Sequence, residues 1–168
     1  MNIRGLLLLF TVIGFYIPEL SAQTLVTTAQ ETLRGLKGFS VIIGELHDEV
    51  TQAGLTKSIL KTDVELKLRK AGIRVLTKDE RFFTLGLVGR LSVSVNALKT
   101  TSPPHTFVYC AAVKLLQDVI LSRNRVKTLA ITWDSGFVGV TPDLRDVREN
   151  TSNLVDMFMN DYLAVNPK

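Results

Sequence analysis

Thr56-Lys57-Ser58-Ile59-Leu60-Lys61-Thr62-Asp63-Val64-Glu65-Leu66-Lys67-Leu68-Arg69-Lys70-Ala71-Gly72-Ile73-Arg74-Val75-Leu76 is the stretch whose reading decides the fold. Leu60, Val64, Leu68 and Ala71 recur at spacings of four, four and three, which puts them on one stripe of a helix. Ile59 and Leu66 fall to one side and are expected to widen that stripe. The Thr56 hydroxyl can accept a backbone N–H of the first turn, so Thr56 is the predicted N-cap. Gly72 stands where a left-handed C-cap belongs. Ile73-Arg74-Val75-Leu76 then reads as a strand that starts at once. An apolar helix stripe followed directly by a strand places helix and sheet in one domain, each covering the other.

Upstream of this stretch, Phe39-Ser40-Val41-Ile42-Ile43 is a β-branched run opened by Gly38, the mark of a buried strand. Residues 30–36 are compatible with a short helix. Residues 46–55 are polar, with Gly54 near their end, and read as a connecting loop. Downstream, Leu91-Ser92-Val93-Ser94-Val95-Asn96 alternates apolar with polar, as in a sheet with one dry and one wet face. Pro103-Pro104 makes residues 100–104 a loop. Phe107, Tyr109, Ala111, Val113 and Leu115 alternate again, and Val119 and Leu121 resume the pattern. A helix over residues 110–120 also fits Val113, Leu116 and Ile120. The strand is preferred because a polar turn at 122–124 leads into Leu129-Ala130-Ile131-Thr132-Trp133, completing a hairpin. Asp143 is the predicted N-cap of a last helix carrying Leu144, Val147, Thr151, Leu154, Val155, Phe158 and Tyr162 at helical spacing. The order β-α-β-β-β-β-α predicts an α+β domain: a mostly antiparallel sheet of about five strands with two long helices packed on one face.

At the amino terminus, Arg4 precedes an uncharged apolar run from residue 5 to 17, broken by Pro18 and followed by Leu20-Ser21-Ala22. This is the layout of a cleavable secretory signal, so residues 1–22 are expected to be removed and residues 23–168 to form a single domain. The apolar run is shorter than the ~20 residues a helix needs to cross a bilayer, so no transmembrane segment is expected after cleavage. The expected location is periplasmic or secreted. Removal takes away Arg4 and Glu19 together, leaving the net charge at +4. Cys110 is the chain's single cysteine, so no intrachain disulfide can form. Its neighbours Val108, Tyr109, Ala111 and Ala112 predict a buried, inert thiol.

The densest basic stretch is Lys57, Lys61, Lys67, Arg69, Lys70 and Arg74, interrupted by Asp63 and Glu65. Such alternation describes a solvated helix face, and Lys57, Lys61, Arg69 and Arg74 are its candidate contacts to an anionic surface of lipid headgroups or cell-wall polymer. No aromatic side chain is interleaved with these bases, so nucleic acid is not an expected partner. In Glu45-Leu46-His47-Asp48-Glu49, Glu45 and His47 would share a face if the preceding strand ran on, and a nearby carboxylate could close a metal site. His47 and His105 are the chain's only histidines, which excludes a three-histidine centre. The cluster therefore reads as a polar strand end, with a metal-binding or hydrolytic enzyme using Glu45 and His47 as the alternative. Trp133-Asp134-Ser135-Gly136 is no hydrolase elbow, because Trp133 stands where the strained turn needs a glycine. It reads as a turn or bulge with Gly136 at positive φ, and Trp133 as core. Gly35/Gly38 and Gly86/Gly89 precede strands, whereas phosphate loops follow one, so both pairs read as turns. Asn150-Thr151-Ser152 matches a glycosylation acceptor but falls inside the last predicted helix. No cofactor motif is present.

The segment from Leu60 to Leu76 and the ending Asn160-Asp161-Tyr162-Leu163-Ala164-Val165-Asn166-Pro167-Lys168 resemble a group of small secreted bacterial proteins of uncharacterised function. The resemblance implies export and transfers no catalytic residue. At the level of layout alone, the chain is similar to small α/β accessory domains of bacterial envelope machines. The expected function is an exported, non-enzymatic domain, without cofactor, that binds an envelope protein or anionic surface. Self-association through an exposed strand edge is the further expectation.

Overall fold

Elements in chain order are α1 (Thr28–Glu31), β1 (Phe39–Ile43), α2 (Asp48–Gln52), α3 (Lys57–Lys70), β2 (Gly89–Thr100), β3 (Thr106–Ile120), β4 (Lys127–Thr141) and α4 (Leu144–Val165). The computed structural model describes residues 28–77, 80, 87–102 and 105–167. The expected leader, Gly86 and Pro103-Pro104 lie outside those residues. The α+β class is as expected.

Helix α3 begins and ends where its sequence signals stand. The Thr56 hydroxyl accepts from the Ile59 N–H at 3.3 Å, and Gly72 takes φ 75° so that the Ile73 N–H reaches back to the Leu68 carbonyl at 2.9 Å. Leu60, Val64 and Leu68 are buried. Leu66 is exposed and does not widen the stripe, because two positions from Val64 and Leu68 turn a side chain about 200° round the helix.

The sheet runs in the order β1-β2-β3-β4. Strands β1 and β2 are parallel, with Val41 opposite Leu91, while β2/β3 and β3/β4 are antiparallel. The parallel pair follows from connectivity: α3 carries the chain back before β2 begins. The sheet therefore has four strands and is mixed. Ile73-Arg74-Val75-Leu76 supplies only a single parallel bridge, Val75 to Phe39, flanked by Phe39 N–H to Arg74 O and Leu76 N–H to Phe39 O, both 2.9 Å. Residues 110–120 are strand, not helix.

Two further expectations need correction. Residues 46–55 contain α2, a five-residue helix with Val50 as its buried side chain, too short to show a periodic stripe. Asp134-Ser135-Gly136 is no turn: β4 runs straight through it, and Gly136 is not among the residues with positive φ. The irregularity lies one step earlier, where Leu115 faces Trp133 and Leu116 faces Ile131, leaving Thr132 as the extra residue. Gly35 is in a turn at φ 77°, but Gly38 and Gly89 are not at positive φ. A Cβ on Gly89 would come within 2.5 Å of Leu115, so packing, not a turn, requires that glycine.

One face of the sheet is the core: Phe39, Leu91, Val93, Val95, Tyr109, Ala111, Val113, Leu115 and Trp133 meet Leu60, Val64 and Leu68 of α3 and Val147, Leu154, Val155 and Phe158 of α4. Phe158 stands edge-on to Phe39 at 5.0 Å and to Trp133 at 5.2 Å. The Trp133 indole N–H donates to Asp161 at 2.7 Å, so the side chain is core with a satisfied polar end. Lys67 to Asp156 at 2.6 Å and Arg148 to Asp63 at 2.7 Å tie α3 to α4. Cys110 is exposed, contrary to expectation. Tyr109 and Ala111 turn inward, so strand parity sends Cys110 to the opposite face, between Asn96 and Val138. Asn150 lies in α4 and donates to the Tyr109 hydroxyl at 2.6 Å. Among the described residues no helix is long and apolar enough to cross a membrane.

Candidate functional site

Strand β1 bonds β2 through alternate residues: Gly89 N–H reaches Gly38 O, and Gly44 N–H reaches Val93 O. The intervening residues point their backbone groups to the other side, as Phe39 does toward Arg74 and Leu76. By the same alternation the N–H and C=O of Val41 and Ile43 face outward. The neighbouring strand position is filled at Val75, and no described residue pairs with Val41 or Ile43 on that side.

Alongside this edge runs a cleft of about 560 Å³, lined among the described residues by Ser40 to Ile43 of β1, Leu76, Thr77, and Lys57, Ser58, Lys61, Glu65 and Arg69 of α3. Lys57, Lys61, Glu65 and Arg69 succeed one another at four-residue intervals, so they form one column along the helix flank, about 18 Å from end to end. Glu65 pairs with Lys61 at 3.8 Å and with Arg69 at 2.9 Å, and Lys57 pairs with Glu45. The lining itself carries three cations against one carboxylate. Ser40 is 4% exposed, and its hydroxyl is buried with no hydrogen-bond partner. A buried hydroxyl without a partner is a standing energetic penalty of ~1–3 kcal/mol, which a ligand atom at that position would relieve.

A second groove of about 550 Å³, between α3 and α4, looks as basic in sequence: Lys67, Lys70, Arg145 and Arg148 line it. Its cations are largely engaged inside the molecule. Lys67 holds Asp156 and the Ser152 carbonyl, Arg148 holds Asp63 through two bonds, and Arg145 holds Asp143. The bonds that Arg148 and Arg145 donate to Asp63 and Asp143 raise the pKa of both guanidinium groups, fixing those charges in place. The cations of the β1 cleft are paired as well, with Glu45 and Glu65, so what sets that cleft apart as the candidate is the buried Ser40 hydroxyl without a hydrogen-bond partner.

Three of the four cations singled out from sequence, Lys57, Lys61 and Arg69, come together in this cleft. Arg74 does not. It pairs with Glu80 at 2.6 Å, next to the Thr77 N–H that donates to the same carboxylate at 2.9 Å. These bonds, the Thr77 backbone first and Arg74 second, bring the Glu80 carboxyl down to about 2. Arg74 thus fastens the segment that leaves β1. Glu45 and His47 lie beyond the end of β1 rather than on it: Glu45 is engaged by Lys57, and His47 is the exposed residue before α2. Among the described residues no three His, Cys, Asp or Glu side chains gather as metal ligands would.

Ser40, Ser58 and the outward backbone groups of β1 were not singled out from sequence. The available signal was Ser40 itself, a hydroxyl inside an otherwise apolar buried strand. Cations, the hydroxyls of Ser40, Ser58 and Thr77, and an apolar wall of Ile42, Ile43 and Leu76 make a surface suited to holding a ligand; neither histidine nor cysteine is among the described residues that line it. The chain matches no protein-family model and no curated protein sequence.

Proposed function

We propose that this is an exported, non-enzymatic domain that binds an anionic group of another cell-envelope component in the cleft between β1 and α3. The observation that carries the reading is the buried, unpartnered Ser40 hydroxyl beside Lys57, Lys61 and Arg69. Export is supported by the leader-like residues 1–22, and the envelope setting by the resemblance to small secreted bacterial proteins. The test is a photoreactive side chain placed at Ser58 in intact cells. A discrete adduct is expected, and it is expected to vanish when Lys61→Glu and Arg69→Glu are introduced together. Adducts indifferent to charge reversal would remove the basis of the proposal.

A second reading, self-association, is favoured by β4. This strand ends the sheet, is 15 residues long, and exposes Phe137, Val138 and Val140 along its outer part. Among the described residues no further strand pairs with it, and an edge of that length and character is a template for a second copy of itself. Sedimentation velocity of the full chain across a concentration series checks it: a mass that stays monomeric at high concentration rejects it.

A further inference from the structure

We infer that the end of the β3–β4 hairpin, residues 118–131, is a contact surface for an anionic lipid bilayer, separate from the β1 cleft. Strand β2 last meets β3 at Arg90, opposite Leu116. From Gln117 onward β3 and β4 pair with each other, Asp118 opposite Leu129 and Ile120 opposite Lys127. The Gln117 amide marks the base of this projection, donating to the Thr32 carbonyl at 2.9 Å and to the Thr132 hydroxyl at 2.7 Å. Every residue from Ile120 to Leu129 is exposed. Five of the apolar side chains at this end, Ile120, Leu121, Val126, Leu129 and Ile131, are 39–51% exposed. Single exposed apolar residues need no explanation, whereas five on one short hairpin end form a patch of the kind that marks an interaction site. By strand parity Ile120, Leu129 and Ile131 share the face turned away from the core.

The charge around the patch has one sign. Arg123, Arg125 and Lys127 stand at alternate positions of the sequence, and no acidic residue lies between Asp118 and Asp134. Among the described residues none of these three cations takes part in an ion pair, unlike Lys57, Lys61 and Arg69. The turn also satisfies its own backbone. Leu121 N–H donates to the Val126 carbonyl at 2.9 Å, Arg125 N–H to the Leu121 carbonyl at 2.8 Å, and Val126 N–H to the Asn124 side-chain oxygen at 3.3 Å. A tip whose donors are already used loses little on leaving bulk water. Apolar side chains and cations alternate along the same few residues, so the partner must offer hydrocarbon and negative charge at one boundary. A bilayer surface does so: its acyl chains receive Ile120, Leu129 and Ile131, while the long basic side chains reach the phosphates. An acidic protein would need to cover about 800 Å² of its partner, and a projecting two-stranded end does not supply that area.

The experiment uses the full chain with Cys110→Ala and Ser122→Cys, the thiol at 122 carrying a polarity-sensitive nitrobenzoxadiazole dye. Because the dye sits on the turn, it reports this surface and neither the apolar run near the amino terminus nor the β1 cleft. Vesicles of equal parts phosphatidylcholine and phosphatidylglycerol are expected to shift its emission to the blue, and added salt to weaken the effect. A basic residue near an anionic surface strengthens partitioning about fivefold, so Arg123→Gln, Arg125→Gln and Lys127→Gln together are expected to weaken it about a hundredfold. Ile120→Thr with Leu129→Thr keeps every charge and is expected to weaken it about tenfold. All five positions are exposed, so both variants are expected to melt with the parent, which circular dichroism checks. A dye unmoved by the anionic vesicles overturns the inference. An equal response to pure phosphatidylcholine overturns it too, because the cations would then have no part in the contact. A response to soluble polyglutamate without vesicles moves the surface to an acidic protein partner. The Ser58 adduct tests the β1 cleft separately, so the failure of either reading is seen without the other.

Discussion

Strand β1 presents five residues at one edge of the sheet, walled by Lys57, Lys61 and Arg69, while β4 presents fifteen at the other, with Phe137, Val138 and Val140 in solvent. Each is the outermost strand of the sheet among the described residues, and an outermost strand faces the hazard that an extended chain can join it. The β1 edge is short, charged on its flank and blocked at one end by Val75. Under the proposed function, those features favour an occupant of opposite charge. The β4 edge has the Thr132 bulge and, near its outer half, Asp134 as its only charge. Val138 is 70% and Val140 65% exposed there. Under the proposed function β1 is thus the selective edge and β4 the permissive one, and the difference lies in what stands beside the strand more than in the strand itself.

The largest effect is expected where the selective edge is anchored. Phe39 is fully buried and meets Phe158 at 5.0 Å and Tyr162 at 5.1 Å, both edge-on. Phe39→Ala is expected to lower stability by about 3–5 kcal/mol, through lost transfer energy plus the cavity left behind. Urea unfolding measures it, and a loss under ~1 kcal/mol would mean that β1 is not pinned by this cluster. Next comes Trp133, where β4 is built into the core. Trp133→Phe removes the indole donor to Asp161, which retains its bond from Gln30 at 2.6 Å, and a loss of about 1–2 kcal/mol is expected by the same titration.

On the permissive part of β4 the expectation reverses. Val138→Lys is expected to change stability by less than about 0.5 kcal/mol, because the side chain is mostly in water already. It is expected to abolish any concentration-dependent association seen by sedimentation velocity, since a charge on an edge strand opposes pairing with another copy. An associating protein that still associates after this substitution would move the contact away from β4.

How much of this was legible depends on the range of the physics involved. Helix α3 was legible almost to the residue, because Thr56, Gly72 and the Leu60/Val64/Leu68 stripe all act within a few positions of one another. The cation column was legible for the same reason: Lys57, Lys61 and Arg69 differ by multiples of four. The parallel pairing of Val41 with Leu91 was not, because it joins residues fifty apart and depends on the path between them. Cys110 was misplaced by weighing its neighbours' hydrophobicity over strand parity, although Tyr109 and Ala111 already fixed which way it must point. The short reach of the Val75 pairing was illegible in principle: a run such as Ile73-Arg74-Val75-Leu76 carries no mark that it meets β1 through one bridge, Val75 to Phe39.

The smallest expected effect concerns that departure point. Glu80 receives the Thr77 N–H at 2.9 Å and Arg74 at 2.6 Å, and its carboxyl is brought from 4.5 down to about 2. A carboxyl more acidic in the folded state than in the unfolded one contributes stability above its unfolded pKa. That contribution is lost as the pH falls through the folded value. Glu80 therefore contributes a share of acid sensitivity confined between pH 4.5 and about 2. In Glu80→Gln that share is expected to vanish, so the variant's stability falls less steeply across this window than the parent's, while their slopes agree above pH 6. Because the group is solvent-facing, the difference is expected to be slight, and unfolding midpoints at closely spaced pH values are needed to see it. Identical slopes below pH 4.5 would show that the Thr77–Glu80–Arg74 contacts do not hold in solution, and with them would go the tie that holds Arg74 and Thr77 on either side of the Val75 bridge to β1.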